Sequence, residues 1–161
     1  DLFVFGCTTG MRFGNYSTIS RSDVDGNFIR VIDLKSKSKN LAIPLNSISK
    51  SILEKYDYNL PSITNQKMNE YIKEVFKELE FTDEIKKTMK YGDELVDVKS
   101  EFWERISSHT ARRSFITIMK NKRVPDKVIM SYTGHTSLEV FNAYYRPSED
   151  DKINYMNEVF N

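Results

Sequence analysis

Two short apolar runs, joined by a loop of lysine and serine, place the tightest limit on the fold of this chain. Residues 27–33 are rich in β-branched side chains and follow the turn-forming pair Asp25-Gly26, and residues 41–45 form the second run. The residues between them, 35–39, read Lys-Ser-Lys-Ser-Lys. Short runs bounded by polar turn residues are typical of strands that pair in a hairpin. The sequence therefore predicts one small antiparallel sheet.

The remaining chain shows mainly helical periodicity. From residue 64 to about residue 80, apolar side chains recur every three or four positions, which is the spacing of one face of an amphipathic helix. We interpret this stripe as core packing. The stretch 81–103 is acidic and weakly periodic, and no element is predicted there. The pattern predicts an α+β, mainly α fold.

Capping residues indicate where the later helices begin and end. Ser108 is a candidate cap for a helix that would place Arg112 in its first turn. Gly134 suits the end of the next helix, because glycine readily adopts the left-handed conformation. Residues 136–139 fit a capping box, which predicts a third helix that carries Tyr144.

Composition limits the kind of protein that this can be. A chain of 161 residues fits one domain with a sizeable core, and no apolar run is long enough to cross a bilayer. The single cysteine, Cys7, excludes an internal disulfide and thiolate-rich zinc sites, and suits a reducing cytoplasm. The net charge is only +1, yet residues 105–123 carry six basic side chains and no acidic one. Such segregation can give one positive face that meets phosphates.

The residues that carry chemistry gather near the end of the chain. The protein has two histidines, and both lie in this region. His109 stands three residues before Arg112, and His135 lies between Arg112 and Tyr144. Histidine is scarce here and chemically versatile, and tyrosine can act as a nucleophile. This grouping favours a functional site over four unrelated structural residues.

These segments resemble the tyrosine recombinases, or phage-type integrases, over nearly the whole chain. Five segments stand in the family's order at compatible spacings, which is far more specific than any one of them. They are Thr8-Thr9-Gly10-Met11-Arg12 for the first arginine motif, Lys35 through Leu45 for the hairpin lysine and its following strand, Ser108-His109-Thr110-Ala111-Arg112 for the His-x-x-Arg box, Thr133-Gly134-His135 for the Gly-His box, and Tyr144 for the nucleophile. Residues 109–115 are most similar to integrases of Bacteroides-type mobile elements and conjugative transposons.

The resemblance implies a role for each of these side chains. Tyr144 would attack the phosphorus of DNA and form a 3′-phosphotyrosine, while Arg12 and Arg112 would bind the non-bridging phosphate oxygens. Lys35 would protonate the departing 5′ oxygen, with Lys37 as the alternative.

Histidine roles, metal use and the choice of tyrosine complete this interpretation. His109 and His135 would hydrogen-bond the scissile phosphate or assist proton movement near Tyr144. No cluster of aspartate or glutamate accompanies the motifs, so the reaction is predicted to need no metal and no cofactor. Tyr145 is the alternative nucleophile, although its neighbour fits the family spacing better and Tyr145 is expected to pack.

Some positions depart from the family pattern. Where many members have an acidic residue shortly after the first arginine, this chain has Asn15, which we expect to supply a neutral hydrogen bond instead. Arg113 stands where many members carry a second histidine. Because the sequence begins at Asp1, we expect residues 1–161 to be a catalytic domain that lacks the family's amino-terminal DNA-clamping domain.

The sequence therefore predicts a site-specific DNA recombinase or integrase of the bacterial cytoplasm, associated with the nucleoid. Its partners would be double-stranded DNA at a recombination site and other protomers of a synaptic assembly, with no membrane. Residues 147–161 form a tail that would dock either on a neighbouring protomer, as in the family, or on its own domain. Two alternatives remain: DNA relaxation of the type IB topoisomerase kind, and a DNA-binding or regulatory protein that kept the fold and lost catalysis.

Overall fold

The computed structural model describes residues 1–33, 40–145 and 147–160. Helices dominate this part of the chain. The helices are α1 (Leu2–Thr9), α2 (Phe13–Tyr16), α3 (Ser47–Lys55), α4 (Asn65–Glu78), α5 (Ser108–Asn121), α6 (Asp126–Thr133), α7 (Leu138–Asn142) and α8 (Glu149–Phe160). The strands are β1 (Val24–Asp25), β2 (Phe28–Ile32), β3 (Asn40–Pro44), β4 (Glu84–Tyr91) and β5 (Glu94–Glu101), with 3-10 turns at Arg21–Asp23 and Phe102–Arg105.

The early sheet has three antiparallel strands in the order β1-β2-β3. Ile29 of β2 stands opposite Ile43 of β3, and both are buried together with Leu41. Because alternate side chains of a strand point to the same face, these isoleucines and the leucine cover the core while their neighbours face outward. The predicted hairpin and the mainly helical fold class are confirmed. The predicted loop between the two strands lies outside the described residues.

A close crossing of α1 and α5 forms the centre of the domain. A Cβ atom on Gly6 would lie only 2.9 Å from the Cβ of Ala111, so the two helices approach as closely as they do because residue 6 is glycine. Phe5 and Tyr16 pack edge to face beside this crossing, with ring centroids 5.8 Å apart, and both are fully buried. The crossing brings Gly10, at the end of α1, next to α5.

The start of α5 differs from the prediction by one residue. Its cap is Ser107 rather than Ser108, which is the first helical residue. Ser108 is occupied elsewhere, since its hydroxyl donates to Asn65 Oδ1 and its N–H donates to Asn69 Oδ1, both at 2.7 Å on α4. Arg112 therefore lies in the second turn of α5 rather than the first.

The next two helices, α6 and α7, agree in part with the sequence prediction. Gly134 ends α6 with a φ of 71°, as predicted. The cap of α7 is Ser137 rather than Thr136, because the Ser137 hydroxyl accepts a backbone N–H of the first turn at 3.3 Å. The expectation that this helix carries Tyr144 is wrong: α7 ends two residues earlier, and the Tyr144 N–H closes a turn onto the Phe141 carbonyl at 3.0 Å.

The acidic stretch with no predicted element contains a second hairpin. Strands β4 and β5 pair along their full length, from Glu84 opposite Glu101 to Tyr91 opposite Glu94. Both strands are largely exposed, and charged side chains stand on both of them. The alternation that normally identifies a strand is therefore weak.

The tail forms a helix, α8, whose apolar side chains are exposed. Arg123, just beyond the end of α5, forms an ion pair with Glu158 and stacks on the Tyr155 ring at 5.1 Å. In this structure the tail thus contacts its own domain. None of the helices in the described residues is long and apolar enough to cross a membrane.

Candidate active site

Arg112 is the buried centre of the site. Its side chain is 1% exposed, and Nη1 donates to the Gly10 carbonyl at 2.9 Å while Nη2 donates to the Thr133 carbonyl at 2.5 Å. These acceptors are helix-terminal carbonyls, which carry partial negative charge and compensate for loss of water. Burial, and then the charge of Arg12, lower the pKa of Arg112 to about 10, so the side chain remains a cation at neutral pH.

Arg12 lies between α1 and α2 and is held by a carboxylate from the sheet. Its Nη1 donates to Oδ1 of Asp33 at 2.8 Å, and Nδ2 of Asn15 donates to the same oxygen at 3.0 Å. The Asp33 side chain is 1% exposed, whereas that of Arg12 is 25% exposed. One end of the Arg12 guanidinium is therefore fixed inside the protein, while the side chain still reaches the surface.

His135, directly after Gly134, has a hydrogen-bond partner that fixes its tautomer. Its Nδ1 lies 2.8 Å from the Thr133 hydroxyl, which is itself 2.9 Å from the Ile129 carbonyl. The hydroxyl has one proton, which it donates to the carbonyl, so it accepts from Nδ1–H. Burial, and then the charges of Arg112 and Arg12, lower the pKa of His135 to about 4. His135 is thus a neutral imidazole protonated on Nδ1.

Tyr144 lies beside both histidines. Its ring centroid is 4.9 Å from that of His135 and 5.2 Å from that of His109, which is an exposed residue in the first turn of α5. The guanidinium of Arg113 lies 5.5 Å from the Tyr144 ring, a distance typical of a cation–π contact. Cationic and polar groups therefore surround the tyrosine.

Tyr145 points to a different environment from its neighbour. The Nζ of Lys120 lies 5.4 Å from its ring, and Tyr145 lines a groove together with residues of α8 such as Tyr155 and Met156. The two adjacent tyrosines therefore differ in their other neighbours, although both pack on the same small apolar cluster. One contacts the histidines, and the other packs toward the tail.

An open cleft of about 350 Å³ lies beside the two arginines and His109. It is lined by residues 11–14 and by Asn65, Ser108, His109 and Arg112. The Nε–H of Arg112 is buried and has no hydrogen-bond partner among the described residues. Two arginines that line one cleft, one of them with an unpartnered donor, are an arrangement that suits an anion such as a phosphate.

The site belongs to a known family. The chain matches the phage integrase family over residues 2–151. It is a member of the phage integrase family. A comparison with curated protein sequences found no match.

Solved structures of integrase-like folds agree with this membership. The XerA recombinase is 17% identical with a TM-score of 0.71, covering 99% of this chain and 57% of that chain. The XerH site-specific recombinase bound to a palindromic difH substrate is 15% identical with a TM-score of 0.68, covering 96% and 43%. The Tn1549 transposon integrase in complex with a circular intermediate DNA is 15% identical with a TM-score of 0.66, covering 98% and 57%. Such identities establish the fold, and this chain spans about half the length of these proteins.

The structure brings five of the six predicted site residues of this integrase-family chain together. Each of the five contacts another member of the set or lines the cleft with one. They are Arg12, His109, Arg112, His135 and Tyr144. The sixth, Lys35, and its alternative, Lys37, lie outside the described residues.

The sequence analysis assigned no role to two side chains of the site, Asp33 and Thr133. Asp33 supplies the carboxylate that contacts Arg12, and Thr133 orients His135. Asn15 was expected to supply a hydrogen bond in place of the acidic residue that many family members have at that position. Its Nδ2 donates instead to a different acidic residue, Asp33. A signal for Thr133 was present, since it stands two residues before a histidine, but nothing in the sequence connects Asp33 with an arginine 21 residues earlier.

Proposed function

We propose that this chain is the catalytic domain of a tyrosine-type site-specific DNA recombinase that cleaves and rejoins DNA through a 3′-phosphotyrosine intermediate. The observation that carries the proposal is the position of Tyr144, whose ring lies within 5.2 Å of both histidine rings. Arg112, braced by two carbonyls and 3.2 Å from His135, adds a fixed cation to the same site. Family membership supports the same conclusion.

In the proposed reaction, the hydroxyl oxygen of Tyr144 attacks the phosphorus of a phosphodiester. The new bond joins the tyrosine oxygen to the 3′ phosphate, the bond from phosphorus to the 5′ oxygen breaks, and the 5′ oxygen leaves as a hydroxyl after gaining a proton. The tyrosine proton passes to a nearby acceptor. Because one phosphoester replaces another, a 5′ hydroxyl of a second strand can reverse the step and reseal DNA without an energy source.

The two arginines would stabilise the extra negative charge of the transition state. Arg12 and Arg112 line one cleft, and each presents a planar set of donors to non-bridging oxygens. A fixed donor of this kind commonly contributes about 3 kcal/mol to a transition state. Lysine would retain the charge at either position but not the paired donors.

The reaction needs one group that accepts the tyrosine proton and another that donates a proton to the leaving 5′ oxygen. His135 is neutral, and its Nδ1–H is engaged by Thr133, so we assign it a role in supporting Arg112. His109 is exposed beside Tyr144, and we assign it the acceptance of the tyrosine proton. Lys35 is proposed as the donor to the leaving 5′ oxygen, on the resemblance alone, with Lys37 as the alternative.

The proposed substrate and partners follow from this chemistry. The substrate is double-stranded DNA at a recombination site, which would place the protein at the bacterial nucleoid. Residues 1–161 would act with an amino-terminal domain that clamps the other face of DNA, and the tail at 147–161 would join protomers in a synaptic assembly. Exposed apolar side chains on α8 support that last proposal. The sequence of residues 109–115 supports an origin in Bacteroides-type mobile elements.

The test is capture of the covalent intermediate. The protein is incubated with a nicked suicide DNA that carries its candidate recombination site, in the presence of a chelator, and adducts are detected by a mobility shift under denaturing conditions. We expect an adduct with the natural protein and with Tyr145→Phe, and no adduct with Tyr144→Phe. These two variants are a matched pair, because each removes one hydroxyl from adjacent tyrosines.

Other outcomes would redirect the interpretation. An adduct that persists in Tyr144→Phe and disappears in Tyr145→Phe would move the nucleophile by one residue. Binding of the DNA without any adduct would favour a non-catalytic DNA-binding role. Relaxation of supercoiled plasmid without exchange between two sites would favour the topoisomerase-like activity.

A further inference from the structure

A buried carboxylate within a cluster of cations is the feature of this site that the proposed reaction does not use. Asp33 directly follows β2, is 1% exposed, and accepts hydrogen bonds from Arg12 and Asn15 on a single oxygen. A buried carboxylate is costly unless charged and polar donors compensate for its loss of water. A negative charge beside a phosphate site also opposes phosphate binding. A carboxylate at this position therefore calls for a specific explanation.

The second oxygen of Asp33 faces the other half of the site. A Cβ atom on Gly134 would lie 3.6 Å from Oδ2, so the carboxylate lies next to the turn that precedes His135. Its charge also raises the pKa of Arg112 and of His135, against the larger effect of burial. Asp33 thus lies between the segment of the first arginine and the segment of the Gly-His box.

We propose that Asp33 is a positioning residue that aims the Arg12 guanidinium at the scissile phosphate, with Asn15 holding the carboxylate in place. The proposal rests on the proposed recombinase function. With Nη1 bound to Oδ1, the direction of the planar guanidinium is set, and its remaining donors are available to the cleft. Arg12 is a quarter exposed, so without this contact it would exchange among rotamers in solvent.

The identity of Asn15 follows from the same contact. Its amide lies 3.0 Å from Oδ1, and an aspartate at this position would place two carboxylates at that distance. Like charges so close cannot both remain ionised, so one would take up a proton. Asparagine supplies a donor in place of that repulsion. One carboxylate and one amide are thus required, and the proposal allows them to exchange positions.

The experiment measures single-turnover cleavage by the full protein on two suicide substrates, one with a normal scissile phosphate and one with a methylphosphonate, which lacks the negative charge. We expect Asp33→Asn to slow cleavage of the phosphate by about 10- to 100-fold, because misplacement of a catalytic group by about 1 Å has effects of this size. The loss on the methylphosphonate should be much smaller, and Arg12→Ala should show the same selectivity. A purely structural defect would slow both substrates equally.

Two further variants provide controls. Asp25 forms an exposed ion pair with Arg30 in the same sheet, so Asp25→Asn removes a comparable charge and should leave both rates unchanged. The exchange Asn15→Asp with Asp33→Asn restores one carboxylate and one amide, and should recover most of the rate lost by Asp33→Asn.

The possible failures are distinguishable. If the natural protein forms the adduct and Asp33→Asn cleaves the phosphate at the same rate, or slows both substrates alike while remaining folded by circular dichroism, the positioning role is refuted and the recombinase function stands. If the natural protein forms no adduct on either substrate, the recombinase function itself fails, and the positioning role fails with it.

Discussion

The Thr133 hydroxyl offers the sharpest test of how the site is held together. Thr133 is fully buried, donates to the Ile129 carbonyl at 2.9 Å and accepts from His135 Nδ1–H at 2.8 Å. Thr133→Val keeps the shape of the side chain and replaces only its hydroxyl group with a methyl group. The Nδ1–H of His135 then faces a methyl group. His135 is itself only 6% exposed, so water has little access to replace the lost acceptor.

The size of the effect follows from the absence of a good alternative. A buried donor left without an acceptor costs about 1–3 kcal/mol. The other tautomer would place the proton on Nε2, which lies 3.2 Å from Arg112 Nη2, so two donors would face each other, and Nη2 is too far from Nδ1, at 3.4 Å, to donate a strong hydrogen bond there. Neither tautomer escapes the penalty. We therefore expect the free energy of unfolding of Thr133→Val to fall by about 1–3 kcal/mol.

Two measurements check this expectation. Urea unfolding gives the free energy, and nitrogen-15 NMR gives the tautomers; because the chain has only two histidines, a single His109→Gln variant assigns both ring signals. Natural protein should show a neutral His135 protonated on Nδ1, and Thr133→Ser, which keeps the hydroxyl, should resemble it. If Thr133→Val loses less than about 0.5 kcal/mol, as most surface changes do, and keeps the same tautomer, the argument is refuted.

Two further predictions concern pH and a glycine. The pKa of His135 falls from 6.5 to about 4 on folding, so the unfolded chain binds this proton more tightly. The contribution of His135 to the free energy of unfolding is therefore complete above pH 6.5 and is lost as the pH falls toward 4. Urea unfolding at several pH values should show this dependence on pH, and His135→Gln should remove it. Gly10 has a φ of 67°, and a Cβ there would lie 2.4 Å from the Phe115 ring, so Gly10→Ala should cost at least about 2 kcal/mol in thermal unfolding. Gly26, with a φ of 58° and open space around it, is the matched control and should lose about 1 kcal/mol; equal losses for the two glycines would contradict the steric argument.

Local signals in the sequence predicted most of the elements that support the site. The β2–β3 hairpin follows from its apolar runs, and the end of α6 follows from Gly134, whose φ is positive. The start of α5 was misplaced by one residue because two consecutive serines can both act as caps. The choice between them depends on contacts of Ser108 with α4, a helix about 40 residues away in the chain. Local sequence carries no information about such a contact.

Asp33 was missed for the same reason, on a larger scale. Its position after an apolar run predicts only the end of a strand, because an aspartate there is ordinarily exposed. Its role depends on the packing of the sheet against the segment of Arg12, which buries the carboxylate. Asn15 gave a partial signal, since an amide stands where the family often has an acid. The sequence thus indicated that the usual carboxylate was absent, but not where another one would come from.

The two Thr-Gly pairs of the site share one physical explanation. Thr9 and Thr133 are both buried and donate to the carbonyl four residues earlier, and each is followed by a glycine in the left-handed conformation that ends its helix. A carbonyl from each of these helix ends accepts from Arg112, one on each of its terminal nitrogens. Neither glycine therefore needs to contact a ligand to affect the site. They end two helices where the terminal carbonyls hold a buried arginine, and the Nε–H of that arginine keeps no hydrogen-bond partner among the described residues.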